Sequence, residues 1–333
     1  NFSSGGGGGA ITLTSYGTLT SAGSIDAFIV KYNSSGAAQW ATSIGSTSGE
    51  TGYGIAVDSS GNLLFTKRIT KLLTVKWSSE HQNQRNLYEQ VTDYALNGYN
   101  QAKRENRQHM ALLMILMQRL VSSSTFAIRS TLEKRLEILK SEYAKKEESL
   151  DEELVEEDSQ NQLEQIISES LGPLDNEMKT VETLLELAKI CEVEGADTKT
   201  EFLYDLLVKS QQAENNPKLK FLIFTEFTST QKMLEEYLSK RGYHVSILNG
   251  SMSLSQRIVV QKEFKEKSQI LISTEAGGEG LNLQFCHIVV NYDLPWNPMK
   301  IEQRIGRIDR IGQKNQVIAN NQDTYWLKSY RLV

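Results

Sequence analysis

Near the end of the chain, Gln303-Arg304-Ile305-Gly306-Arg307-Ile308-Asp309-Arg310-Ile311-Gly312-Gln313 spaces its guanidiniums and amides in a pattern that could grip phosphate. Wound as a helix at about 100° per residue, Gln303, Arg307 and Arg310 fall within about 60° of one another. Ile301, Ile305 and Ile308 fall on the opposite side, so one face is built for a core and the other holds two cations outward. Gly312 is a natural helix stop. Arginine keeps its charge and presents a planar fork suited to phosphate oxygens. Two such forks three residues apart are neighbours on a helix surface and could clamp a transferring phosphoryl group. Arg-x-x-Arg also occurs on plain solvated helices, so the chain leading up to it has to decide between the two.

From Lys218 onward the pattern reads strand, helix, strand, helix. The run 219–225 is almost continuously apolar, as a strand buried on both faces of a parallel sheet would be. A helix with Met233, Leu234, Tyr237 and Leu238 as its stripe follows, then strand 244–248, helix 253–267, strand 269–273 and strand 287–292. This alternation predicts an α/β lobe, a parallel sheet with helices on both faces. Ligands on such sheets bind at the carboxyl ends of the strands. Polar turns cluster at those ends: Thr225-Glu226-Phe227-Thr228, Asn249-Gly250-Ser251, and Ser273-Thr274-Glu275-Ala276-Gly277-Gly278-Glu279-Gly280. Glycine there lets backbone N–H groups come close to phosphates.

These motifs carry a family resemblance. Residues 218–313 resemble the second RecA-like lobe of superfamily-two helicase-like ATPases of the Swi/Snf branch. Gly277-Gly278-Glu279-Gly280-Leu281-Asn282-Leu283-Gln284, Asp293-Leu294-Pro295-Trp296-Asn297-Pro298 and the 303–313 stretch look most like its bacterial RapA/HepA-type members. Gln118-Arg119-Leu120 and residues 123–139 are similar to the segment that leads into that lobe. The resemblance implies an ATP hydrolase that moves on duplex DNA, with ATP and Mg²⁺ as cofactors and RNA polymerase or another nucleoprotein as a partner. It implies that Arg307 and Arg310 are arginine fingers for the γ-phosphate, with Gln303, Gly278, Glu279 and Gly280 at the nucleotide. It implies that Thr225, Gly250 and Thr274 meet nucleic-acid phosphates, and that Trp296 braces the loop before the arginine helix or packs in a core.

Half of such a site is not written in this sequence. No Gly-Lys-Ser/Thr occurs, so no P-loop cradles the β- and γ-phosphates. No Asp-Glu-x-His follows a strand to hold Mg²⁺, and Asp151-Glu152-Glu153 lies inside a charge run. No metal-ligand spacing is seen elsewhere. The lobe therefore needs a first RecA-like lobe, and the chain alone is expected to be inactive. A truncated or chimeric reading frame is a second reading, and a non-enzymatic β-repeat adhesion or scaffold protein a third.

The rest of the chain divides by composition into segments 1–66, 67–212, 213–319 and 320–333. The first is rich in Gly, Ser and Thr, with strand-like runs at Phe28–Tyr32, Gln39–Ser43, Tyr53–Val57 and Leu63–Thr66. Turns Asn33-Ser34-Ser35-Gly36 and Asp58-Ser59-Ser60-Gly61 echo each other and read as ordinary turn chemistry. Together with Asp26 to Tyr32, Trp40, Gly54 to Asp58 and Gly61-Asn62, they resemble one β-propeller repeat of secreted bacterial proteins. A single repeat cannot bury its own hydrophobic face.

Segment 67–212 reads as helical, with Leu87, Val91, Tyr94 and Ala95 on one face and Ile128, Leu132, Leu136 and Leu139 on another. Ser124 or Thr125 is placed to cap the second of these. Lys145 to Asp158 is acidic and reads as a solvated helix or insertion, and a helical pair is expected over 177–212. His81 and His109 have no partner at ligand spacing and read as surface residues. Segment 320–333 matches no family pattern.

With a net charge of −5, 39% hydrophobic and 23% charged residues, the chain has a soluble composition, and any nucleic-acid surface must be local. The longest apolar run, Met110 to Met117, is far short of the roughly 20 residues that span a bilayer and reads as a buried helix. The sequence starts at Asn1 with no Met and no basic-then-apolar leader, so no signal peptide is expected in it, and it reads as a possible fragment. Cys191 and Cys286 read as buried reduced thiols, which favours a cytosolic setting for that part of the chain, and the resemblance implies a bacterial cytoplasm.

Overall fold

The structure is a computed structural model that describes residues 68–141, 159–168, 171–278, 282–309, 313 and 315–324, together with short strand backbones within 10–64. The chain divides into two units, Asn1–Phe65 and Thr66–Val333.

In the first unit, β1 (Ala10–Leu13) pairs antiparallel with β2 (Gly17–Thr20). β3 (Ala27–Tyr32) pairs likewise with β4 (Ala38–Ile44), and β5 (Ala56–Val57) with β6 (Leu63–Leu64). The four expected strands are present in part or in full. The turns 33–36 and 58–61 lie outside the described residues, as does the acidic stretch 145–158.

The second unit opens on β7 (Ile69–Val75), followed by α1 (Gln82–Arg104), α2 (Gln108–Ser123), α3 (Thr125–Lys140), α4 (Ser159–Ser168), α5 (Glu177–Glu194) and α6 (Thr198–Ala213). Then come β8 (Phe221–Phe224), α7 (Thr228–Ser239), β9 (Val245–Leu248), α8 (Leu254–Glu266), β10 (Ile270–Ser273), the single turn α9 (Glu275–Gly278), β11 (Ile288–Asn291), α10 (Pro298–Ile305) and β12 (Ile318–Thr324). The strands form one parallel sheet in the order β7-β12-β11-β8-β10-β9. This is the parallel α/β arrangement that the strand–helix alternation predicts, and it fits the RecA-like lobe that the resemblance implies.

Alternate side chains point to opposite sheet faces, so each central strand feeds two cores. Leu222, Phe224, Leu271 and Val289 join Phe264, Ile305 and Ile308 on one side. Phe221, Ile223, Ile272 and Val290 join Leu203, Leu207, Leu234 and Leu238 on the other. That double burial is why these strands read as continuous apolar runs.

Two further strands complete the sheet's edge, and the second starts where Val317-Ile318-Ala319 reads as the beginning of a strand. β7 lies in the stretch read as helical, and β12 runs five residues into the segment that matched no pattern. They pair with each other in register over Ile69–Val75 and Ile318–Thr324, a partnership between chain ends that local pattern cannot reveal.

The helices before β8 have their own core, where Leu87, Val91, Met114, Met117, Ile128 and Leu132 are fully buried. Gly98 lets α1 and α2 close on each other, since a Cβ there would lie 2.4 Å from the Met114 sulfur. Ser124 caps α3 by accepting from the Ala127 N–H at 3.1 Å. Among the described residues no helix is long and apolar enough to cross a membrane. Both cysteines are buried and unbridged, with burial pushing each thiol up to about 12.

The surface reading of the two histidines is corrected. His109 is 5% exposed on the inner side of α2. His81 turns in against Glu201 at 3.3 Å with 13% of its side chain exposed. Ligand spacing, the only criterion applied to them, says nothing about burial.

One buried ion pair ties this helical core together. Arg135 of α3 donates Nε to Glu177 Oε1 (2.8 Å) and Nη2 to Oε2 (2.7 Å), and Nη1 to the Leu171 carbonyl (2.6 Å). Glu177 also accepts from Tyr94 of α1 at 2.6 Å and from the Leu174 N–H at 2.7 Å. Burial opposes its ionisation, but the Arg135 contact, together with these donors, holds Glu177 below the ordinary carboxylate value. Removing one partner strands the other, whereas removing both does not. Arg135→Met is therefore expected to cost about 3–5 kcal/mol in urea unfolding, with most of that loss recovered when Glu177→Leu is added.

Candidate functional site at the carboxyl ends of the strands

Thr225 leaves β8 with no exposed surface, and its hydroxyl donates to Asp293 Oδ2 at 2.6 Å. The same carboxylate accepts from Ser123 Oγ (2.8 Å), from the Glu226 N–H (3.1 Å) and, through Oδ1, from Lys199 Nζ (2.7 Å). Asp293 follows β11, Ser123 ends α2 and Lys199 lies in the first turn of α6. Burial pushes the Asp293 carboxyl up, but the Lys199 ammonium and the surrounding donors outweigh it and hold the group below its ordinary value. Thr225 thus helps to set the β8 turn from inside rather than presenting its hydroxyl outward.

The next two turns are pressed together. Thr274, 1% exposed, donates its N–H to the Leu248 carbonyl at 3.0 Å. A Cβ on Gly277 would fall 2.6 Å from that carbonyl and 2.7 Å from the Asn249 backbone, so α9 reaches the β9 turn only because position 277 is glycine. Gly250 is exposed just beyond, its carbonyl accepting from Arg257 at 3.2 Å.

Gln303 on α10 is exposed and Arg307 just beyond it partly so, while Ile305 and Ile308 are fully buried, as the two-faced pattern requires. The helix itself stops at Ile305 and passes through Gly306 into a turn, seven residues before Gly312 counting Ile305 as zero. Arg307 is held there by main-chain bonds, its N–H to the Arg304 carbonyl (3.1 Å) and its carbonyl from the Leu283 N–H (2.9 Å). Gly278 lies in α9, whereas Glu279, Gly280 and Arg310 lie outside the described residues.

The arginine that the phosphate-clamp reading passed over is the one the structure buries. Arg304 is 1% exposed and stacks its guanidinium over the Phe224 ring at 5.1 Å. It donates Nε and Nη2 to Glu275 Oε2 (3.0 and 2.5 Å), and Nη1 to Asn291 Oδ1 (3.1 Å) and the Asp293 carbonyl (2.8 Å). It therefore joins α10 to the start of α9 and the end of β11. In projection it sits about 100° from Gln303, flanking the isoleucine face, and that was the only signal available. Trp296 is 62% exposed and lies outside any core, with the Arg119 guanidinium 5.9 Å from its ring centre. Arg119 also pairs with Glu226, whose burial pushes its carboxyl up to about 7.

Residues 198–312 match the family described as Helicase conserved C-terminal domain. Among curated relatives, an uncharacterized ATP-dependent helicase, YqhH, of Bacillus subtilis (strain 168) is 48% identical over 105 residues, 32% of this chain and 19% of that protein. The RNA polymerase-associated protein RapA of Vibrio vulnificus (strain YJ016) is 38% identical over 125 residues, 36% of this chain and 12% of that protein. The matched part thus spans less than a fifth of either relative's length. The solved C-terminal part of the Fun30 ATPase domain superposes with a TM-score of 0.48 at 19% identity, covering 78% of this chain and 86% of that one.

Two measurements probe this network. Arg304→Lys keeps the charge but loses the fork, and is expected to lower unfolding free energy by about 2–3 kcal/mol. Because the folded Glu226 keeps a proton that the unfolded chain releases above 4.5, that group costs stability as pH rises to about 7. Glu226→Gln should therefore gain on the wild type by up to about 3 kcal/mol between those pH values, and no further above them, in urea unfolding.

Proposed function

We propose that this chain supplies the second RecA-like lobe of an ATP-dependent translocase acting on duplex DNA. In this reading Arg307 and Arg310 face the γ-phosphate of an ATP held by a P-loop lobe, in a longer form of this protein or in a separate chain. The observation that carries it is the coincidence of the helicase C-terminal match over 198–312 with a sheet whose carboxyl-end turns are locked to the arginine turn through Arg304.

Gln303, with Gly278, Glu279 and Gly280, lines the nucleotide side. The turns at Thr225, Gly250 and Thr274 form the nucleic-acid side, mainly through backbone N–H groups, because the Thr225 hydroxyl is already committed to Asp293. Mg²⁺ in this reading is held by the other lobe, because no Asp-Glu-x-His follows a strand in this sequence. ATP bound there supplies the phosphoryl group, and this chain's part is to position two cations against the charge that develops on it. RNA polymerase is the candidate protein partner, from the name of the RapA relatives. For the first unit we infer one β-propeller-type repeat, supported by its antiparallel strand pairs.

The chain alone is expected to hydrolyse no ATP, yet to bind duplex DNA with an affinity that falls steeply with salt. Adding the P-loop lobe of a relative should restore DNA-stimulated hydrolysis, which Arg307→Ala or Arg310→Ala then lowers by roughly 10³–10⁵. Salt-insensitive binding, or none at low salt, counts against this function.

A further inference from the structure

Two buried carboxylates meet at the end of β8, and their surroundings differ. Asp293 takes an ammonium and three further donors. Glu226, 7% exposed, has one close cation, with an oxygen accepting from Nη2 of Arg119 on α2. Four charged groups face it: Arg119 from α2, Asp293 from beyond β11, Arg304 from α10 and Glu275 from α9. These two cations and two carboxylates oppose one another, so burial decides the outcome and pushes Glu226 up to about 7 while Asp293 stays ionised. A carboxylate pair whose environments push its members apart leaves one of them to titrate near neutrality.

Among the described residues, Arg119 is the side chain that ties Glu226 to the helices before the lobe, and it has a second place to go. The exposed Trp296 ring lies 5.9 Å from its guanidinium, and a cation over an indole face is favoured. We propose that Arg119 and Glu226 form a proton-operated clasp between α2 and the turn after β8, closed while Glu226 is ionised and released when it takes a proton. On release Arg119 keeps only the Trp296 face, and the turn is left to the Asp293 bonds. The clasp requires neither nucleotide nor nucleic acid, so its test stands apart from the activity proposed above.

The test is the intrinsic fluorescence of the full chain from pH 5.5 to 8.5, with the Trp296→Phe signal subtracted. A one-proton transition centred near 7 is expected, matching the value to which burial pushes Glu226. Glu226→Gln should abolish it, and so should Arg119→Gln, which removes the cation that the indole senses and moves the Glu226 carboxyl itself upward by about one pH unit, because an opposite charge is gone. Carboxyl NMR of the unaltered protein carrying ¹³C-glutamate gives a readout that no folding defect can obscure: one glutamate resonance should titrate near 7. A transition that persists unchanged in Glu226→Gln, or no glutamate carboxyl titrating between pH 6 and 8, overturns the clasp.

Discussion

The carboxylate of Asp293 is the constraint on which the second unit depends. An ionised group without solvent is costly unless charge and hydrogen bonds replace the water, and here Lys199, Ser123, Thr225 and the Glu226 N–H do so. The four donors come from three places: α6, the end of α2, and the turn after β8. One charge therefore fixes three elements relative to β11, and shifting any of them leaves a buried partner unsatisfied. Buried ion pairs contribute little net stability against apolar packing, but breaking them is expensive, which suits a role in setting geometry.

The same logic reaches the arginine turn. Arg304 reads the Asp293 main chain with one nitrogen and the Glu275 side chain with two others. The loop beyond β10 and the turn that carries Arg307 are thus joined through a guanidinium with almost no access to water. Where α9 meets the β9 turn, contact is by backbone alone, at a glycine that tolerates no side chain. Charge fixes one side of the site and close packing the other.

Much of this was legible in the sequence and some was not, for physical reasons. The central strands announce themselves because burial on both faces forbids polar residues, and the two-faced 301–308 stretch because Ile305 and Ile308 must reach a core. The polar turns at the strand ends were likewise readable. The hub was not, because Lys199 and Asp293 lie 94 residues apart and neither carries a local signature of its partner. Arg304 sat among other arginines with nothing to mark it as the buried one. The β7–β12 pairing joins strands that are nearly 250 residues apart, beyond the reach of any local pattern.

The central claim is that Arg307 and Arg310 are aimed at a nucleotide held by another lobe. It is tested most directly by a structure of the full chain bound to the P-loop lobe of a relative, duplex DNA and ADP–beryllium fluoride. Both guanidiniums are predicted within hydrogen-bond reach, about 3 Å, of the fluoride that stands for the γ-phosphate. An assembled nucleotide site with both arginines turned away from that fluoride would contradict the account.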